Sequence, residues 1–132
     1  MSYPKTIVKK SFAGKGLFAD QDIKKGTIII QYIGEKVTNE QADKKPNRYI
    51  FELNEKYSID GSPLYNKARY ANHSCNPNGI SAMYASKGDK IFFEARKNIK
   101  KGEEITIDYG DEYTSVYIKK GDCKCSQCKP FF

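Results

Sequence analysis

The residues Arg69-Tyr70-Ala71-Asn72-His73-Ser74-Cys75-Asn76-Pro77-Asn78 form the stretch richest in side chains able to do chemistry. Hydrogen-bonding groups crowd it, and it carries the one histidine of the chain. A His beside Ser and Cys supplies the residue types of nucleophilic catalysis, in which a base activates a hydroxyl or a thiol. The spacing opposes a simple triad, because residues one and two apart do not normally face each other. The plainer alternative is a histidine satisfied in the core.

The thiols suggest a second chemistry. The four cysteines are Cys75, Cys123, Cys125 and Cys128, the last three compressed into C-K-C-S-Q-C. Neighbours in C-x-C do not easily bridge each other, and nothing at the N-terminus (Met1-Ser2-Tyr3-Pro4-Lys5) reads as a secretion signal. A tetrahedral zinc ion takes four thiolates at about 2.3 Å. The cluster offers three and Cys75 is the one thiol remaining, so a zinc ion would tether the C-terminal end to the middle of the chain and order it. The alternative leaves Cys75 as a buried core thiol and the other three loose.

Short β-type runs have to position these groups. Thr6-Ile7-Val8, Leu17-Phe18-Ala19, Thr27 to Ile33, Arg48 to Leu53, Tyr57 to Asp60, Ile80 to Tyr84, Lys90 to Arg96 and Glu104 to Tyr109 read as strands. Turns are expected at Gly14-Lys15-Gly16, Asp22 to Gly26, Gly61-Ser62-Pro63 and Asn98 to Glu103. The turn Ser86 to Asp89 makes a hairpin of the two strands around it. Thr38 to Pro46 can hold one helical turn, Leu64 to Ala71 is helix-compatible, Asn72 to Gly79 is irregular, and Asp111 to Ile118 is a weak helix candidate. The pattern predicts a mostly β fold of several small sheets, with no doubly wound sheet.

Composition bounds the rest. The 132 residues include 39% hydrophobic and 13% aromatic side chains, enough for one core and unlike a disordered tail. The longest aliphatic run is Ile28-Ile29-Ile30, far short of a membrane span. One intracellular domain without membrane contact is expected. The net charge of +7 favours phosphate-bearing partners. Its lysines, however, come as scattered pairs such as Lys9-Lys10 and Lys100-Lys101, so only weak nucleic-acid contact is expected.

The ten-residue stretch resembles the R-F-x-N-H-S-C-x-P-N block of SET-domain protein-lysine methyltransferases, with Tyr70 for Phe. Gly102-Glu103-Glu104-Ile105-Thr106-Ile107-Asp108-Tyr109 is similar to a second block of that family, G-E-E-L-T-x-D-Y. Gly14 to Phe18 looks like the early G-x-G turn, and Tyr49-Ile50-Phe51 with Ile59-Asp60-Gly61 like the middle strands. The cysteine cluster resembles the post-SET zinc segment, which in many members takes its fourth thiolate from the N-H-S-C block. The likeness runs from about Ile7 to Cys128, and it divides the chain into a SET domain over 1–118 and a post-SET segment over 119–132. The cluster is C-x-C-x2-C where the family usually has C-x-C-x4-C. Tyr65-Asn66 stands where many members have Gly-Asn, which implies a narrower cofactor side.

The resemblance implies a fold with a pseudoknot between the two blocks, S-adenosylmethionine as methyl donor and a protein lysine as acceptor. It assigns Lys15, Gly16, Leu17, Arg69, Asn72, His73 and Tyr109 to the cofactor, with Lys15 near its carboxylate and Asn72 and His73 near its adenine and amino ends. Tyr109 matches the catalytic tyrosine and Tyr49 a second channel tyrosine. Asn78, Glu104 and Asp108 would fix backbone. Ile107 occupies the position where a Phe or Tyr helps set the number of methyl groups. An aliphatic side chain cannot anchor a water there, which implies di- or trimethylation. The partner implied is a histone tail or another lysine-bearing protein, in the nucleus or on host chromatin if a histone and in the cytoplasm otherwise. The competing readings are a silent interaction module, opposed by Asn72, His73 and Tyr109 together, and a nucleic-acid binder, for which no base-stacking motif is present.

Overall fold

The computed structural model describes residues 3–11, 14–84 and 90–108. In chain order the strands are β1 (Thr6–Ser11), β2 (Gly14–Ala19), β3 (Ile28–Tyr32), β4 (Glu35–Thr38), β5 (Ile50–Glu52), β6 (Tyr57–Asp60), β7 (Asn72–His73), β8 (Gly79–Tyr84), β9 (Lys90–Ala95) and β10 (Glu104–Ile107). One short helix, α1 (Asn39–Lys44), follows β4, and a single 3-10 turn spans Lys67–Tyr70. The architecture is mostly β, as the pattern predicts.

The larger sheet runs β1-β2-β10-β8-β9-β3, with β7 also on β10; the smaller runs β4-β6-β5. Strand β10 is the hub. Its first half pairs antiparallel with β2 (Ile105↔Leu17), and its second half pairs parallel with β7 (Thr106↔Asn72, Ile107↔His73) and meets Gly79 of β8. The predicted hairpin forms as β8–β9, in register from Gly79↔Ala95 to Tyr84↔Lys90. Ile91, Phe92 and Phe93 of β9 are all buried rather than alternating, so both faces of this strand are covered.

Leu17, Ile29, Tyr32, Ile91, Phe93, Ile105 and Ile107 form the centre of the core, closed by Ile23, Leu53, Ala68, Ala71 and Ile99. Tyr32 joins the two sheets. Its ring packs at 4.6 Å from Phe51 and 5.5 Å from Phe93, and its hydroxyl donates to the Tyr49 carbonyl at 2.6 Å.

Local chemistry sets the element ends. Thr38 caps α1 with a reciprocal box, in which its Oγ1 accepts from Gln41 N–H and Gln41 Oε1 accepts from Thr38 N–H. That is the helical turn expected between Thr38 and Pro46. The helix expected over Leu64 to Ala71 shrinks to Lys67–Tyr70. The residue that should cap it, Asn66, is buried and spends its side chain on the Gly61 carbonyl (2.9 Å) and the Ile33 N–H (3.2 Å). Gly14-Lys15-Gly16, expected as a turn, belongs to β2, and Asn72-His73, expected as irregular, forms β7 because β10 lies alongside. The strand expected to Tyr109 is hydrogen-bonded as far as Ile107. The helix candidate at Asp111 and the boundary between 118 and 119 lie outside the described residues.

Candidate active site

The two motif blocks meet on β10, and three polar side chains stitch them together. Asn78 is buried, and its carboxamide imitates a neighbouring strand. Nδ2 donates to the Glu104 carbonyl at 2.7 Å, and Oδ1 accepts from Thr106 N–H at 2.9 Å. Glu104 spreads its carboxylate between Ser11 Oγ (2.7 Å) and Asn72 Nδ2 (2.8 Å). Asn72 Nδ2 also donates to the Lys15 carbonyl at 3.1 Å, which ties β2 to the block. Gly16 permits this approach: a Cβ there would strike the Glu104 carboxylate and come within 2.8 Å of Ser11 Cβ. Asn78 thus bonds the β10 backbone, while the Glu104 carboxylate bonds side chains of β1 and β7.

His73 is buried with its ring turned away from Asn72, as alternation along a strand requires. Nε2 lies 3.3 Å from Cys75 Sγ, and Nδ1 lies 3.8 Å from Asp108 Oδ1. The expectation that residues two apart do not face each other fails here, because extended backbone puts i and i+2 on one side. Cys75 is exposed, which removes the reading of it as a buried core thiol. Burial strips water from the imidazolium and outweighs the attraction of Asp108, so the His73 pKa is lowered from its usual 6.5.

A cationic and aromatic wall stands beside this seam. The Arg69 guanidinium lies 4.2 Å from the Tyr49 ring centroid and 5.1 Å from that of Tyr70. Lys15 Nζ approaches Tyr70 from 5.9 Å and Arg48 approaches Tyr49 from 5.9 Å. Arg69 Nε is buried without a hydrogen-bond partner among the described residues. Tyr49 sits just ahead of β5 rather than on it, held by Tyr32, by Gly61 N–H on its carbonyl (3.0 Å) and by Asn47 Oδ1 on its N–H (2.8 Å).

Lys15, Gly16, Arg69, Asn72 and Tyr49 therefore lie on one connected surface. Leu17 does not: its side chain is buried in the core. Ile107 is likewise fully buried, facing Gly79. The His73 ring faces Cys75 and Asp108, so only its backbone remains for a ligand. Tyr65, beside the buried Asn66, is 66% exposed. Tyr109, Cys123, Cys125 and Cys128 lie outside the described residues, and among the described ones no three metal-ligating side chains gather. Sequence reading missed Tyr32 and Ser11, which hold Tyr49 and Glu104 from distant strands; only the pairing of the sheets brings them near.

The SET-domain family model matches residues 14–110 of this chain. The chain belongs to the SET-domain family. Histone-lysine N-methyltransferase 2D of Homo sapiens is 38% identical over 112 residues, covering 78% of this chain and 2% of the relative. Histone-lysine N-methyltransferase ASHH3 of Arabidopsis thaliana is 33% identical over 132 residues, covering 90% of this chain and 35% of the relative. This SET domain thus spans a small part of the curated relatives it matches. Among solved structures, a humanized mutant of the Chaetomium thermophilum Polycomb Repressive Complex 2 bound to an inhibitor superposes with a TM-score of 0.74. It has 30% identity and covers 86% of this chain and 16% of that one.

Proposed function

We propose that this SET domain is a protein-lysine N-methyltransferase that uses S-adenosylmethionine. The observation that carries the reading is the parallel register Thr106↔Asn72 and Ile107↔His73, which sets the two motif blocks side by side. The surface beside them suits the cofactor. Arg69 brings an unpartnered buried N–H, and Lys15 a second cation, toward a carboxylate. Asn72 Oδ1, with no hydrogen-bond partner among the described residues, can accept from an ammonium group. When bound, the cofactor supplies an electrophilic methyl group.

The chain's own residues do the rest. A lysine of ordinary pKa, about 10.4, is mostly charged at neutral pH, and a narrow apolar channel favours its neutral form. By resemblance, the hydroxyl of Tyr109, one residue past Asp108, would orient the amine lone pair and help stabilise the transition state. Tyr49 lines the channel, its ring steadied by Arg69. The acceptor is a lysine of a histone tail or another basic protein, which puts the enzyme on nuclear or host chromatin if a histone is the substrate and in the cytoplasm otherwise. A zinc ion on Cys75, Cys123, Cys125 and Cys128 would order the 119–132 segment that follows the 1–118 domain. The exposed thiol of Cys75 fits that role because it is accessible to ligands from another segment.

Incubation with methyl-labelled cofactor and separate pools of histones, an acidic protein and nucleic acid tests the reading. Label recovered as methyl-lysine from histones is expected. Cofactor binding without transfer to any pool would mark a silent interaction module instead. In the same assay Arg69→Met is expected to weaken cofactor binding by about 10- to 100-fold, the loss of one hydrogen bond to a charged group.

A further inference from the structure

The β1–β2 hairpin sets two lysines against each other. Lys10 lies directly opposite Lys15 in the antiparallel register, and both are exposed. Like charges facing each other across a strand pair destabilise it. We propose that the pair serves a ligand: Lys10 is a further cofactor-binding residue, which joins Lys15 and Arg69 on the carboxylate of S-adenosylmethionine. The inference rests on the reading of this surface as the cofactor site and deepens it.

Alternation along the strands places the pair. Val8 and Lys10 share one face of β1, and Leu17 and Lys15 share the same face of β2. Val8 and Leu17 pack in the core, so the two lysines carry that face to its rim, where β2 packs against the 3-10 turn. There Lys15 Nζ lies 5.9 Å from the Tyr70 ring centroid, and the Arg69 guanidinium lies 5.1 Å from it. The opposite face of the hairpin carries Ser11 and Gly16, and with them the Glu104 carboxylate. That carboxylate is taken by Ser11 and Asn72, and among the described residues none of Lys10, Lys15 and Arg69 forms an ion pair. These cations thus share one surface without a counter-ion, and the buried Arg69 Nε has no hydrogen-bond partner among the same residues. Asn72 Nδ2 holds the Lys15 carbonyl at 3.1 Å, which fixes the backbone beneath the pair. Residues directly opposite have Cβ atoms about 5 Å apart, so two long, flexible lysine side chains can close on a single carboxylate. Because the site is exposed, Lys10 adds a modest attraction that salt screens.

Lys10→Glu separates this role from a structural one. A Glu opposite Lys15 exchanges repulsion for attraction, so the urea midpoint is expected to hold or rise. Cofactor affinity, measured by titration calorimetry on the full chain, is expected to fall about 5-fold or more. Lys10→Met is expected to lose about 3-fold, and it decides if Lys10→Glu does not fold. Decarboxylated S-adenosylmethionine lacks the group that Lys10 would bind, and its affinity is expected not to fall in either variant. Unchanged cofactor affinity in the folded variants, or an equal loss for the decarboxylated cofactor, overturns the proposal while leaving the cofactor reading intact. A wild-type chain that binds no S-adenosylmethionine overturns both.

Discussion

At the scale of single residues, the site is built more by polar side chains bound to backbone than by reactive groups. Asn78 is the clearest case, because one carboxamide satisfies both a carbonyl and an N–H of β10. Asn78→Ala leaves two buried backbone groups unpaired, each costing about 1–3 kcal/mol. Urea unfolding should show a loss of that size, and a midpoint unchanged from wild type would mean that β10 is held by its strand neighbours alone. By resemblance Ile107 holds the product-setting position, although its side chain packs in the core. With no hydroxyl there to anchor a water, we propose that the wild-type enzyme passes monomethyl-lysine and accumulates di- or trimethyl-lysine. Ile107→Tyr should suppress the higher states, at an overpacking cost of about 1–3 kcal/mol because Ile107 is fully buried. A time course on a peptide, resolved by mass, checks both. Arrest of wild type at one methyl under excess cofactor contradicts the argument.

At the scale of elements, the end of β6 shows how loops are set. Burial of the Asp60 carboxyl resists ionisation. Hydrogen bonds from the Ser62 N–H and hydroxyl and from Asn47 Nδ2 outweigh it, and the pKa falls below the usual 3.8. The folded state then holds its proton less tightly than the unfolded chain. The stabilisation is present above about pH 4 and is lost as pH falls through the lowered folded value. Asp60→Asn should flatten that part of the stability profile, measured by urea midpoints between pH 5 and pH 3; parallel profiles for the two proteins would show that these hydrogen bonds do not favour the ionised form. Elements were also where the sequence was least legible. The β8–β9 hairpin and α1 could be read because alternation and a Thr cap are local signals. Strand β7 could not, since two residues become a strand only through β10, which is distant in sequence. Asn66 works in the opposite sense: it occupies the cap position of the 3-10 turn, yet the tertiary structure claims its side chain.

At the scale of the whole molecule, the legible part of the site was its motif content and the illegible part was its orientation. The resemblance grouped Lys15, Arg69 and Asn72, and Asn72 bonds the Lys15 carbonyl while Lys15 and Arg69 both approach the Tyr70 ring. Residue types could not show that Leu17 and Ile107 face the core, or that His73 turns toward Cys75, because facing depends on which strands flank each residue. The charge of +7 belongs to this scale too, and its scattered lysines suit a solvated surface around an acceptor cleft better than a nucleic-acid track. The central claim is transfer of a methyl group to a protein lysine, with Tyr109 directing the amine. Its most direct test is the intact mass of histones incubated with cofactor and either wild type or Tyr109→Phe. Wild type should add methyl masses that map to lysine, and the variant, still folded and still binding cofactor, should be slower by about 10²-fold. Equal rates for the two proteins, or no methyl mass with either, would contradict it.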